Sequence, residues 1–548
     1  YRCRKGENPA VLSDVVIFDL TGADSLLLVS ATIGLYYAKI GRGQPNTQEF
    51  LTGGRKLTAL PVSLSLTFSV LSSVLLISIP VEVYRYGAII GYTCFGHFLA
   101  QVFTSEIFLP VFYRLPITST FQYLELRYNK VTRLLVTFLT FIQTLLLSGL
   151  VIYAPALALN QVTGWNLWGV IVVTGILCTV YCALGGMKAV VWIDVFQVGI
   201  MLAGLLCVLF KCLLLGGVSI LSNSQQGGRL NFLERHTFWT IAFGGTLGWI
   251  MASGTSQTQV QRYNSCKSIT HARIAVFISV VSYSLFLGSA LLPYLVMDIL
   301  KGYPGLPGLF LAAVYSGTLS TVSSIINTLA AVTVEDLIKP NVTLTDRQLL
   351  HISRALSTYL ILLCVSMADL PSLMGLLAQV LLVCLQGGLF GLVFGFAASL
   401  FVSIGSMRSY ADLEMTRPLS LSTEGCNFTT PGSFNWTTLN FSLTRHLLAR
   451  NWHSPSYLYF SVIGFITTVI VGVIVSLYTG GLKQKVDPSL MLMKEDMLSY
   501  HLFKLIKYKV SAVVRIALYI NKDQSGNRAR ITGPPLWCER SVTALVYK

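Results

Sequence analysis

Residues 308–334 read GLFLAAVYSGTLSTVSSIINTLAAVTV, without a charge from one end to the other. At 1.5 Å of rise per residue, such a helix covers about 40 Å and crosses a hydrocarbon core about 30 Å thick. Its polar atoms are not scattered. Gly317, Ser320, Thr321 and Ser324 fall at i, i+3, i+4 and i+7, so one face carries hydroxyls beside a residue with no side chain. Such a stripe has two readings. Small and hydroxyl residues glue membrane helices together. Several oxygens near an unwound helix also suit a hard monovalent cation.

Working outward, similar apolar runs occupy 15–38, 59–80, 87–113, 134–159, 165–185, 189–216, 238–254, 274–297, 354–370, 371–404 and 457–479. The chain is 53% hydrophobic and only 11% charged, so the bilayer is expected to be its main solvent. It reads as an all-α polytopic membrane protein, with a transmembrane domain over 1–480 and a cytoplasmic tail over 481–548. The net charge of +16 does not point to nucleic acid, because no basic run is interleaved with aromatics on a polar segment. It gathers instead in loops: Arg55 and Lys56, Arg127 and Arg133, Lys188, Arg262 and Lys267, and Lys339 and Arg347. By the positive-inside rule, odd-numbered spans end in the cytoplasm and the N-terminus starts outside. Tyr1 stands where an initiator Met would, and the first apolar run carries Asp19 and Asp24, so a missing or altered N-terminus is expected, without a cleavable signal. Eleven cysteines sit mostly inside apolar runs, and neither metal ligation nor a disulfide framework is expected of them. No HExxH, paired carboxylates or nucleophile and base spacing marks an enzyme.

Polar residues inside apolar runs are the functional candidates. The run 59–80 holds Ser65, Ser69, Ser72 and Ser73, a second hydroxyl stripe that is either packing glue or the other half of a cation site. Asp194 is an intramembrane carboxylate, expensive to bury unless paired or solvated. It serves either function or a structural pairing with Lys188. His97 and Gln101, one turn apart, line a cavity or bond a neighbouring helix, and Glu82 with Arg85 reads as an interfacial pair.

Several blocks resemble the sodium/solute symporter family. They include Gly53-Gly54-Arg55-Lys56, Glu82-Val83-Tyr84-Arg85-Tyr86-Gly87, Phe108-Leu109-Pro110-Val111-Phe112-Tyr113, Tyr153-Ala154-Pro155-Ala156, Gln259-Val260-Gln261-Arg262-Tyr263, Ser316-Gly317-Thr318-Leu319-Ser320-Thr321 and Val334-Glu335-Asp336-Leu337. The likeness is greatest to the branch of sodium-coupled monocarboxylate transporters and iodide and multivitamin symporters. It implies an inverted-repeat, five-plus-five fold with 12 to 13 transmembrane helices, alternating access, and sodium as the coupling ion. It also implies that Ser69, Ser72, Gly317, Ser320 and Thr321 hold sodium, and that Asp194 and Gln197 join in coordinating it. Cys94, His97 and Trp249 match a substrate cavity. Leu75, Val70 and Ser256 depart from the branch at that cavity. The implied partners are a small organic anion and the lipid bilayer. A short monocarboxylate is the leading substrate, with iodide, a vitamin or a non-transporting member as alternatives. The implied location is the plasma membrane, apical included.

Two places depart from a full helix set. The connection between Leu287 and Pro293 reads as shortened, and about one helix is expected to be missing between Leu385 and Gly391. The run 371–404 spans roughly 50 Å as one helix, whereas two crossings need about 60 Å and a turn. The glycosylation sequons at Asn427, Asn435 and Asn440 then conflict with the positive-inside orientation of Lys483 and Lys485. The chain as written is therefore expected to be retained rather than to transport.

Overall fold

The structure, a computed structural model, describes residues 47–86, 88–214, 237–290, 306–367, 393–395, 397–403, 457–478 and 487–509, with isolated residues 29, 32, 33, 36 and 511. The described residues are helical and form no strand; a single bridge joins Leu57 to Cys266. By internal contacts the chain divides into two units, Tyr1–Leu492 and Met493–Lys548.

After a short helix α1 (Thr47–Thr52), the first unit runs through α2 (Ala59–Val70) and α3 (Ser73–Tyr86). Next come α4 (Thr93–Phe103) and α5 (Leu109–Arg114), joined by a π-turn at Thr104–Phe108, and then α6 (Thr120–Arg127). Helix α7 (Lys130–Thr163) starts where the Asn129 side chain accepts from the Thr132 amide at 2.8 Å and stops at Gly164, whose φ of 76° only glycine adopts cheaply. Helix α8 (Leu167–Leu214) is two crossings in one, divided at Gly186 with φ 61° and ψ −161°. A Cβ there would lie 2.7 Å from the Phe50 carbonyl oxygen, so both space and conformation require glycine. The expected division into spans 165–185 and 189–216 falls at this residue.

The second half follows the same plan. A π-turn at Thr240–Gly244 leads into α9 (Gly245–Gly254), the chain breaks, and α10 (Gln257–Tyr263) follows. Then come α11 (Ile269–Ala290), α12 (Leu306–Val332), extended by a π-turn at Thr333–Ile338, and α13 (Asp346–Ser366). Beyond them lie the apolar helix Val393–Ser403 and α14 (Phe460–Tyr478). The interrupted pairs α2/α3 and α9/α10 stand five crossings apart, as an inverted repeat of five and five requires.

Among the described residues, six helices are long and apolar enough to span a membrane, and others are shorter apolar pieces. The span Ala312–Ile338 has 94% of its apolar window buried, against 39% for Lys130–Leu157, so α12 is the central post. Its inner face packs with α7, α8 and α13 through Ile152, Cys178, Ile193, Leu319, Ile326 and Ile361. Large apolar side chains on the outside, among them Phe138, Ile176, Val281 and Leu362, remain exposed where lipid would lie. The expectations for 15–38 and for most of 371–404, the three sequons and the shortened connection fall outside the described residues.

Candidate functional site

Residues 59–80 do not make the one helix expected of them, so Ser69, Ser72 and Ser73 do not share a helical face. The chain unwinds at Leu71 (φ −75°, ψ 72°), with the Ser72 amide turning back to the Val70 carbonyl at 2.8 Å. Helix α3 resumes as the Leu76 amide reaches the Ser72 carbonyl at 3.1 Å. Gly317 of α12 lies against this break: a Cβ on it would stand 3.2 Å from the Ser73 amide nitrogen and 3.3 Å from the Leu71 carbonyl oxygen. The two hydroxyl stripes therefore meet at unwound backbone. Ser69 donates to the Leu66 carbonyl at 2.9 Å and accepts from the Gln259 amide at 2.7 Å, while the Ser72 hydroxyl faces the Leu75 amide at 3.5 Å.

Below the break lies Asp194, fully buried on the second crossing of α8. Its carboxylate accepts from Ser320 at 2.6 Å and from Ser65 at 2.5 Å. Its charge partner is Arg262 of α10, at 3.5 Å, rather than Lys188. The reason is depth: Lys188 is only partly buried, whereas Arg262 is 1% exposed and reaches inward. The guanidinium also donates to Ser65 at 2.7 Å, to the Thr258 carbonyl at 3.0 Å and to Ser324. Around this network stand buried polar atoms with no protein partner among the described residues: Thr321 Oγ1, Ser316 Oγ, and both amide atoms of Gln197, one turn on from Asp194. Unpartnered oxygens beside a carboxylate are what a dehydrated monovalent cation would use.

A second cluster forms a mixed polar and aromatic wall. His97, 2% exposed, lies 5.1 Å from the Trp249 ring and 4.3 Å from the Tyr283 ring. The Gln101 amide donates to Ser253 at 3.2 Å and approaches His97 Nε2 at 3.3 Å, while His97 Nδ1 has no partner among the described residues. With Nε2 accepting, the ring proton sits on Nδ1 as an unused donor. Leu75, Val70, Cys94 and Trp249 pack around Phe68, Tyr283 and Phe286. Ser256 is placed differently. It precedes α10, and its carbonyl accepts from Gln259 and Val260 at 3.1 and 3.0 Å, so it shapes the break while Ser253 bonds Gln101. Tyr283 and Ser253 were not singled out from sequence, because neither breaks an apolar pattern by charge.

A third group closes one end of the unit. Arg133 Nε donates to Asp336 at 2.9 Å, a second guanidinium nitrogen stands 2.5 Å from the same carboxylate, and Arg133 also pairs with Glu125. Ser119, just ahead of α6, donates to Asp336 at 2.7 Å. From the other side, the Gln257 amide of α10 accepts from the Thr120 backbone at 2.7 Å and donates to the Thr118 carbonyl at 2.8 Å. The start of helix α6 is thus tied to Asp336 by the Ser119 hydroxyl and to α10 by an amide, while Arg133 of α7 bridges Glu125 of α6 to Asp336. Asp336 in a long apolar helix was the available signal for this cluster; in sequence Arg133 read only as a loop cation.

With that geometry in hand, comparison with known proteins is informative. The family model described as sodium:solute symporter family matches residues 50–302. Sodium-coupled monocarboxylate transporter 1 of Homo sapiens is 47% identical over 576 aligned positions, covering 92% of this chain and 94% of that protein. Sodium-coupled monocarboxylate transporter 2 of Danio rerio is 41% identical over 84% of each chain. The sodium/iodide cotransporter of Homo sapiens is 40% identical over 84% of this chain and 83% of its own. The first alignment is longer than the chain's 548 residues; 92% of the chain is about 504 residues, so about 70 aligned positions of that relative have no counterpart here. Among solved structures, a Na+-coupled sialic acid symporter shares the fold at a TM-score of 0.64 and 19% identity, covering 86% of this chain and 99% of its own. The five-plus-five architecture of helices interrupted at Leu71 and Thr255 is therefore that of a known sodium symporter. The chain belongs to the sodium:solute symporter family.

Proposed function

We propose that this protein is a sodium-coupled symporter that carries short monocarboxylates into the cell across the plasma membrane. The observation that carries the reading is the meeting of the two hydroxyl stripes where Gly317 abuts the Leu71–Ser73 backbone, above a buried Asp194 bonded to Ser320. Sodium would be held by the Asp194 carboxylate, Ser320, Thr321 and Gln197, with Ser69, Ser72 and the unwound backbone beside Gly317 completing the shell. The ion is drawn inward by its gradient and by voltage, about 2.3 kcal/mol per charge for each 100 mV. An anion bound at the His97 wall offsets that charge, and each ligand favours the conformation that holds the other.

The wall suits a small amphiphilic acid. His97 Nδ1 is a buried donor for a carboxylate, and Cys94, Trp249 and Leu75 offer an apolar surface for a short acyl chain. A bare halide would use the donor and leave that surface unmatched, which ranks iodide second. The relatives named for monocarboxylates support the same substrate class.

The test is uptake of labelled lactate, nicotinate, iodide and biotin into proteoliposomes holding a chain that carries the full helix set, with sodium or choline outside. Lactate and nicotinate are expected to accumulate only with sodium. Equal lactate uptake in the two salts refutes coupling, and iodide accumulation without lactate uptake moves the substrate to the second reading.

A further inference from the structure

Residues 498–509, LSYHLFKLIKYK, form a helix of the second unit whose apolar side chains face outward. Leu498, Leu502 and Leu505 stand at i, i+4 and i+7, with Ile506 on their flank, while Phe503 stands one turn before Lys507 at the edge of the polar side. Leu502 is 52% exposed, Phe503 67% and Ile506 50%. Lys504 and Lys507 lie on the opposite side, and Lys509 ends the helix. No acid interrupts it, and from Met493 to Lys548 ten Lys and Arg stand against four Asp and Glu. A helix this apolar on one side and this basic on the other does not belong in bulk water.

Two facts name the occupant of the exposed face. The helix begins twenty residues after Tyr478, the end of an apolar membrane helix, so chain connectivity keeps a bilayer surface within reach at high effective concentration. Its lysines match the anionic headgroups of a cytoplasmic leaflet, which attract basic segments beside a membrane helix. We infer that residues 498–509 lie in the plane of an anionic membrane surface, with Leu498, Leu502, Leu505 and Ile506 in the acyl boundary, Phe503 at its edge, Lys504 and Lys507 among phosphate and carboxylate headgroups, and the long side chain of Lys509 reaching the same headgroups from the last turn.

The experiment is hydrogen exchange by mass spectrometry on the full chain in lipid nanodiscs, whose two faces are alike so that topology does not enter. In discs with about 30% phosphatidylserine, amides of 498–509 are expected to exchange on the order of tenfold more slowly than in phosphatidylcholine discs. Lys504→Glu with Lys507→Glu and Lys509→Glu removes that difference, and Leu502→Ser with Phe503→Ser removes the protection itself. These residues are exposed, so neither variant disturbs the fold of the first unit, which the exchange of α12 checks in the same run. Equal exchange in the two discs, or protection untouched by charge reversal, overturns the assignment.

Discussion

Replacing Arg262 by Gln tests the centre of the proposed ion site. Arg262 and Asp194 are both buried, 3.5 Å apart. At an effective dielectric of about 20, that separation corresponds to roughly 4.7 kcal/mol of attraction. Breaking a buried pair costs about 3–5 kcal/mol, because the remaining charge is left uncompensated. In Arg262→Gln, Asp194 keeps only the Ser65 and Ser320 hydroxyls. In choline, the variant should therefore be about 3–5 kcal/mol less stable than the parent. If the Asp194 carboxylate binds sodium, the ion supplies the missing positive charge. At a hundred times its Kd, sodium returns about 2.7 kcal/mol. Thermal stability in detergent-solubilised membranes, measured across a sodium series balanced with choline, needs neither surface delivery nor substrate. The variant should gain more from sodium than the parent does and reach half effect at lower sodium; Arg262→Lys should behave like the parent. A loss of the same size at every sodium concentration would make Arg262 and Asp194 a structural pair and refute the ion-site reasoning.

Ser320→Ala and Thr321→Ala each remove one oxygen and should raise the sodium concentration for half effect in the same assay; an unchanged curve in both returns these residues to packing. Among the five described free cysteines only Cys94 is not buried, so a methanethiosulfonate reagent should label Cys94, with lactate slowing the reaction. Cys266 should stay unlabelled at pH 8, since burial pushes its thiol up to about 12; labelling of Cys266 ahead of Cys94 would contradict the packing described. The expressed chain should carry only immature, endoglycosidase-sensitive glycans or none, with little uptake at the cell surface, because about 70 positions of a close relative are absent. Complex glycans on Asn427, Asn435 and Asn440 together with sodium-dependent uptake would show that 371–404 crosses twice.

Much of the architecture could be read from apolar runs, since a crossing needs about 20 such residues and little else does. Gly186 and Gly164 stand at ends that glycine makes cheaply, though only their backbone angles in the structure gave them that role. The break at Leu71 was not legible: no glycine or proline stands there, and the residue that lies against it, Gly317, comes from a distant helix. Asp194 announced itself as a carboxylate in an apolar run, but its partner did not. Arg262 stands among polar residues and read as a loop cation, because nothing local tells that α10 folds inward from the break after Gly254. The same holds for Arg133 and Asp336, joined across 203 positions. Local periodicity reports which residues face inward; only the packed helices decide which inward residues meet.

The start of helix α6 is a junction with two unequal joints. Asp336 holds it through Ser119, and the ion pair of Asp336 with Arg133 of α7, whose rupture costs about 3–5 kcal/mol, reaches α6 through Glu125. At the same end, two neutral hydrogen bonds from one Gln257 amide hold Thr118 and Thr120, each worth about 0.5–1.5 kcal/mol net. Under load the weaker joint parts first. If α10 moves away from α12, α6 should stay with α12 and let go of Gln257, so that a single uncharged side chain sets which contact opens first.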